Sequence, residues 1–264
     1  MTRQKGSILI FTMWVLVILV IFSIMLSHRA SSEIALAKYE SNNIRSGYLA
    51  KAGVMKALAE LIKDPGSLYK HTVKELVIGK DRVEYDVFDE GARVNLNNSY
   101  LTKAHLERIG IDLSMADNIL KYKADKISKK NVGFEFMEEL FLADETMTKE
   151  IYSGIKDLVT VYGNTSLNIN TAAEKVLYAM IGDQAVVYDI LEKRKGADGE
   201  EGTEDDGIKN ISEIQGLTDQ NLFTVMPDIF HVSTRVFLSG GETAVKVLDA
   251  VIDIKGKIYC WKEN

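Results

Sequence analysis

Six carboxylates fall within residues 196–207, which read Gly196-Ala197-Asp198-Gly199-Glu200-Glu201-Gly202-Thr203-Glu204-Asp205-Asp206-Gly207. Acids at this density repel one another unless water solvates them or a cation bridges them, and the interleaved glycines let a short loop turn its oxygens inward. The ligand spacing and closing glutamate of an EF-hand are absent. The residues leave two readings open, a solvated acidic loop and a cation-binding one. No catalytic constellation stands elsewhere in the chain. The serines lack a nucleophile elbow, and neither His105 nor His231 has an evident nucleophile beside it. Gly240-Gly241 belongs to an expected hairpin rather than to a phosphate loop. Cys260 is the single cysteine, so no internal disulfide forms, and histidines at 28, 71, 105 and 231 keep no metal-ligand spacing. The sequence points away from an enzyme.

The elements that must position any site begin with an anchor. Met1-Thr2-Arg3-Gln4-Lys5-Gly6-Ser7 leads into an uncharged run from Ile8 to Leu26, broken only by Thr12 and Ser23. These residues span roughly 28 Å as a helix, close to the thickness of a bilayer core. Arg3 and Lys5 before the run predict a cytoplasmic N-terminus with the bulk of the chain on the other side. His28-Arg29-Ala30 is a poor secretory cleavage site. Helical propensity continues to Asp64-Pro65-Gly66, which predicts one helix over 8–63, with an apolar stripe that includes Ile34, Tyr39, Ile44, Tyr48, Val54, Leu58 and Leu61.

The remaining residues predict a folded body. The chain has 264 residues, 46% hydrophobic and 27% charged, with two prolines, which excludes wholesale disorder and Pro-rich linkers. A net charge of -6 disfavours a general nucleic-acid binder. Val83 to Asp89 alternates apolar and acidic residues and predicts a half-buried strand. Ile229 to Leu238 and Ala244 to Ile254 predict a hairpin across Ser239-Gly240-Gly241-Glu242, followed by a last strand at Tyr259-Cys260-Trp261. More than a hundred mostly helical residues lie between these strands. The expected fold class is therefore α+β: a long N-terminal helix and a small antiparallel sheet interrupted by a large helical insertion.

Within the insertion the chain nearly repeats itself. Val94-Asn95-Leu96-Asn97-Asn98 and Leu167-Asn168-Ile169-Asn170-Thr171 each predict a short extended piece whose closing Asn or Thr caps a following helix. Each leads to a helix-hairpin-helix-like element, the first at 136–142 and 147–155, the second from Ile211 onward. Such hairpins can hold DNA phosphates through a glycine-bearing turn. The first lacks the glycine, and Glu213 and Asp219 flank Gly216 in the second, so both are read as packing units.

A short basic leader ending in Gly6, followed by Ser7-Ile8-Leu9-Ile10-Phe11 and a long apolar helix, resembles the class III signal of type IV pilins and pseudopilins. The resemblance implies that a prepilin peptidase cuts after Gly6, leaving Ser7 as the first mature, methylated residue. Most members carry glutamate at the fifth mature position; here it is Phe11, followed by Thr12. A subunit with nothing above it in the filament can dispense with that acid, whereas a repeating subunit would bury an unpaired ammonium. Phe88-Asp89-Glu90-Gly91-Ala92-Arg93-Val94-Asn95-Leu96-Asn97, Val159-Thr160-Val161-Tyr162-Gly163, Leu167-Asn168-Ile169-Asn170-Thr171-Ala172 and Ile258-Tyr259-Cys260-Trp261 resemble the junctions and last strand of K-type minor pseudopilins of type II secretion systems. Ala173 stands where that family often has proline.

The resemblance implies a structural tip subunit of the pseudopilus, which helps initiate and cap the filament that exports folded proteins. It also implies a single-pass inner-membrane protein with most of its chain periplasmic. The implied partners are the I- and J-type minor pseudopilins, the major pseudopilin, the prepilin peptidase and the inner-membrane assembly platform. The expected parts are leader 1–6, membrane and stem helix 7–64, first sheet portion 65–95, helical insertion 96–228 and closing strands 229–264. The family also implies Ca²⁺ in the helical region, with Asp198, Glu204, Asp205 and Asp206 as candidate ligands. A second reading is the tip subunit of a type IV pilus or competence-like filament that binds DNA or a surface, with Lys121, Lys123, Lys126, Lys129 and Lys130 as the phosphate-reaching patch. A third is a membrane-anchored domain without a filament.

Overall fold

A computed structural model describes residues 4–63, 73–199, 203, 206–217 and 219–263. The chain divides into two compact units, Met1–Leu49 and Ala50–Asn264. Helix α1 covers Gln4–Lys63. Its part in the first unit carries the apolar run, and Leu9, Phe11, Trp14, Phe22 and Leu26 are all exposed. It is long and apolar enough to cross a membrane.

In the second unit five antiparallel strands form the sheet: β1 (Lys74–Ile78), β2 (Asp81–Asp89), β7 (Ile229–Phe237), β8 (Lys246–Asp253) and β9 (Ile258–Glu263), in the order β1-β2-β7-β8-β9. The expected strands are all present, and β1 is an addition that the residue pattern did not announce. Val83 and Tyr85 of β2, Thr234 of β7 and Leu248 and Ala250 of β8 are buried, while their strand neighbours Glu84, Asp86, Arg235 and Asp249 are more open, the period-2 alternation of a sheet with one packed face.

The last turns of α1 cover that face. Ala50, Val54, Ala57 and Leu61 recur at three- and four-residue spacing and are buried. Gly53 lets helix and sheet approach closely, because a Cβ there would lie 2.8 Å from Val83 Cγ1 and 3.0 Å from Thr234 Cγ2. Glu60 ties the same contact at its edge, accepting from Tyr85 Oη and Lys74 Nζ at 2.9 Å each. Gly53→Leu is expected to overpack the contact by about 1–3 kcal/mol, less whatever helix propensity returns. A thermal midpoint unchanged from that of the parent would refute the close approach.

The helical layer is inserted between β2 and β7 and consists of two copies of one arrangement. The first runs through β3 (Val94–Asn95), α2 (Lys103–Arg108), α3 (Leu113–Lys130), a 3-10 turn at Met137–Glu139, α4 (Leu140–Ala143), α5 (Lys149–Ile155) and β4 (Val159–Thr160). The second runs through β5 (Leu167–Asn168), α6 (Glu174–Ile181), α7 (Gln184–Lys193), 3-10 turns at Ile211–Glu213 and Gln220–Leu222, and β6 (Phe223–Thr224). In each copy the short opening strand pairs in parallel with the closing one. The second hairpin is therefore shorter than expected: single 3-10 turns stand where helices were anticipated. Its chain reverses at Gly216, which has φ +88°.

The capping expectation needs correction. Thr102 and Asp112 cap α2 and α3, and Ala173 precedes α6 with no side-chain cap. The asparagines do something else. Asn97 Nδ2 donates to the carbonyls of Phe134 (2.9 Å) and Val161 (3.0 Å), and its Oδ1 accepts from the Phe134 amide at 2.7 Å. Asn170 repeats this with the carbonyls of Ile208 (2.9 Å) and Val225 (3.0 Å) and the Ile208 amide at 2.8 Å. A short polar side chain with both donors and an acceptor can satisfy three backbone groups where regular pairing has stopped. A glycine, Gly133 or Gly207, precedes the clamped residue in both copies. A Cβ at Gly133 would overlap the Asn97 side-chain oxygen.

The two copies share one hydrophobic core. Leu96, Leu106, Ile119 and Leu140 from the first meet Ile169, Leu177, Ile190 and Ile214 from the second. Each of these buried aliphatic side chains is worth about 1.5–3 kcal/mol relative to exposure. Arg108 of α2 crosses between the copies and donates to the Ala179 carbonyl at 3.0 Å, at the C-terminal end of α6.

Candidate functional site

Charged side chains converge where the sheet hands over to the helical layer. β2 ends at Asp89, Glu90-Gly91 follow at once, and the two acids turn to different copies. Asp89 Oδ2 accepts from Asn168 Nδ2 at 2.7 Å and Thr171 Oγ1 at 2.5 Å, both in the second copy. Its Oδ1 accepts from the Gly91 amide at 2.8 Å, which caps a 3-10 turn over Glu90–Ala92. Glu90 accepts from Thr160 Oγ1 at 2.6 Å, in the first copy, and from Arg93 Nη1 at 3.1 Å. Both acids are buried. Burial pushes the Asp89 carboxyl above its usual range, against the hydrogen bonds from Thr171, Asn168 and Gly91 that pull it down.

His231 on β7 stands beside this pair. Its Nδ1 lies 3.8 Å from Glu90 Oε2 and its Nε2 lies 3.5 Å from Asp249 Oδ1 on β8. The imidazole holds the Asp249 carboxyl below the usual carboxylate range, and burial opposes it. Phe88 packs edge-on against the same ring, 6.2 Å between centroids. A groove of about 660 Å³ opens here, lined by Phe88, Arg93, Arg194, Asp206, His231 and Asp249 among others. Arg194 closes one side, donating through Nη2 to the Ala172 carbonyl at 2.7 Å and through Nε to that of Ile169.

This arrangement is built for fastening. Its carboxylates are engaged by hydroxyls, amides, a guanidinium and an imidazole, which makes them struts between three segments distant in sequence. Reading the residues alone located these junctions as stretches of resemblance but gave Asp89, Glu90, His231 and Arg194 no role. The available signal was an acid pair closing a strand immediately before a glycine.

The residues singled out from the sequence are placed as follows. Gly6 and Ser7 lie in the first turns of α1. Phe11 is exposed, and the Thr12 hydroxyl donates to the Leu9 carbonyl at 2.9 Å, so this polar residue in the apolar run is satisfied within its own helix. Asp206 lines the groove, and its carboxylate accepts from the Thr203 amide at 3.2 Å and the Thr203 hydroxyl at 3.0 Å. Asp198 lies in the turn that follows α7. Glu204 and Asp205 are outside the described residues. Among the described residues no group of three or more His, Cys, Asp or Glu is poised to hold a metal. Asp198 and Asp206 alone do not supply the six to eight oxygens that Ca²⁺ takes.

The lysine patch is largely neutralised. Lys123 is buried and donates to the Asn98 carbonyl at 2.8 Å. Lys126 pairs with Glu139 at 2.7 Å and Glu135 at 3.2 Å, Lys121 with Asp117 at 2.6 Å and Lys129 with Asp125 at 2.8 Å. The anticipated phosphate-reaching surface thus loses most of its charge to neighbours one turn away or across the hairpin.

No protein-family model matches the chain, and no curated protein matches it in sequence. Among solved structures, a chain in the crystal structure of the GspK-GspI-GspJ complex from the enterotoxigenic Escherichia coli Type 2 Secretion System is similar to it, with a TM-score of 0.63 and 14% identity. The match covers 86% of this chain and 99% of that one. At that identity the likeness is one of fold.

Proposed function

We propose that this chain is a K-type minor pseudopilin, a non-enzymatic structural subunit at the tip of a type II secretion pseudopilus. The observation that carries the reading is the fold match to a chain of the GspK-GspI-GspJ complex, which covers 86% of this chain and 99% of that one. The exposed apolar run of α1 supports it, since a helix long enough to cross a bilayer is what such a subunit inserts among its neighbours. In this reading Arg3 and Lys5 keep the N-terminus cytoplasmic, and the sheet and helical layer stand in the periplasm. Phe11, in place of the usual acid, suits a subunit that receives no further subunit above it. I- and J-type minor pseudopilins are its partners at the tip, with the major pseudopilin beneath and the assembly platform at the membrane. The DNA-binding pilus tip is the weaker reading, because four of its five lysines are already engaged.

The test is intact-mass analysis of the protein produced with and without a prepilin peptidase. Loss of Met1 to Gly6, with methylation of Ser7, is the expected result. An unchanged N-terminus beside a correctly processed control pilin would end the filament reading. Calcium is a separate proposal, supported by the carboxylate density of 196–207 and by Asp206 reaching the junction groove. Saturating Ca²⁺ at a hundred times its dissociation constant adds about 2.7 kcal/mol of stability. A midpoint that responds equally to Ca²⁺ and Mg²⁺, or to neither, would dismiss it.

A further inference from the structure

The chain leaves the sheet after Asp89 and returns to it at Ile229, so the helical layer is joined to two neighbouring strands, β2 and β7. Glu90 belongs to the outgoing crossing. It lies in the 3-10 turn after β2 and accepts from Thr160 of β4, in the first copy. His231 and Asp249 belong to the sheet, on β7 and β8. The imidazole of His231 stands between the two acids with one ring nitrogen turned to each, Nδ1 to Glu90 at 3.8 Å and Nε2 to Asp249 at 3.5 Å. The Glu90 side chain is 3% exposed and that of His231 26%, so the ring exchanges protons with water while one of the acids it faces is buried.

A neutral imidazole has one N–H and one bare lone pair, whereas the imidazolium has two N–H donors and a positive charge. Placed between two carboxylates, the neutral ring turns its lone pair at one of them, whichever tautomer forms. The imidazolium offers a donor to both. The other charged groups around the ring have partners of their own. Arg93 pairs with Glu90 at 3.1 Å and lies 4.0 Å from Asp157. Lys262 of β9 stands across the ladder from Asp249 and 4.0 Å from Glu138. On β2, the register partner of His231 is Phe88, an uncharged ring set edge-on to it. Asp89 is turned to Asn168 and Thr171. In the groove beyond, Arg194 donates to the Ala172 carbonyl and Asp206 accepts from Thr203.

We propose that His231 is a proton-operated fastener between the sheet and the helical layer: as an imidazolium it serves Glu90 and Asp249 together, and as a neutral ring it serves one of them. A proton taken from water draws the Glu90 crossing against β7 and β8, and its release to water loosens the crossing. Because the fastened form is the protonated one, its contribution is complete at low pH and is lost as pH rises and the ring gives up its proton. The proposal does not depend on the filament reading.

The test uses the full chain in zwitterionic nanodiscs at about pH 5.5 and about pH 8, an interval over which histidine is the side chain that ordinarily changes charge. The amides of Val94 and Leu96 bond to the carbonyls of Leu158 and Thr160 at the base of the first copy, just beyond the crossing. Their hydrogen exchange is measured at both pH values and corrected for the intrinsic rate. At the lower pH the parent should protect them several-fold better than His231→Gln, whose side chain is uncharged throughout, and at the higher pH the two should converge. Asp89 is common to parent and variant, so its own titration cancels in the comparison. Asp249→Asn, at a side chain about one-third exposed, keeps the test valid if His231→Gln folds poorly. It should flatten the parent's pH response, because a neutral ring can then donate to Glu90 and accept from the new amide. Equal protection in parent and His231→Gln at both pH values, a parent advantage that grows as pH rises, or a response unaltered by Asp249→Asn would overturn the proposal.

Discussion

Asn170→Ala should lower the stability of the second unit by about 3–5 kcal/mol, since it leaves the Ile208 amide and the carbonyls of Ile208 and Val225 without their partner in a buried position. For a body of this size that corresponds to a fall in thermal midpoint on the order of 10 °C. Asn97→Ala removes the equivalent three bonds, but Asn97 is only half-buried, so water recovers part of the loss and the effect should be smaller. Gly133→Ala should reproduce the Asn97→Ala defect without touching the asparagine, because its Cβ displaces the Asn97 amide. Denaturant unfolding of the three variants decides the matter. A loss below about 1 kcal/mol for Asn170→Ala would mean that the clamp contributes no more than an ordinary solvated hydrogen bond.

Glu90→Ala is the second large effect. Removing this buried carboxylate strands the Thr160 hydroxyl and takes the closest acid from Arg93, a change expected to cost about 3–5 kcal/mol. Its neighbour contributes a pH dependence of opposite kind to most acids. Asp89 titrates above its unfolded value near about 4, so its stabilising contribution is complete below that pH and is lost as pH rises through the raised value. Asp249, held low by His231, behaves the other way: its contribution is present above about pH 4 and is lost as pH falls through its folded value. The stability advantage of the parent over Asp89→Asn should therefore shrink between about pH 4 and pH 7. An advantage that grows over that interval would contradict the buried, unfavourably ionised Asp89.

The sequence by itself determined the parts whose signals are local. An uncharged run, a stem free of proline, the alternation at Val83 to Asp89 and a hairpin at Gly240-Gly241 each depend on neighbours within a few residues, so α1, β2 and the β7–β8 pair were legible before any coordinates. β1 was not, because Lys74–Ile78 is an edge strand with little buried surface to impose alternation. The near repeat at 94–98 and 167–171 was visible, but its closing Asn or Thr was expected to cap the next helix, a local role, whereas the long bonds of its asparagines reach 37 to 79 residues away. The same holds for the lysines, whose charge looked available until the fold brought Glu139, in the turn after α3, and the Asn98 carbonyl, ahead of α2, against them. Burial, pairing and the joining of Asp89 and Glu90 to two different copies were decided only by tertiary structure, because hydrogen bonds and desolvation depend on which distant groups the fold brings within about 3 Å.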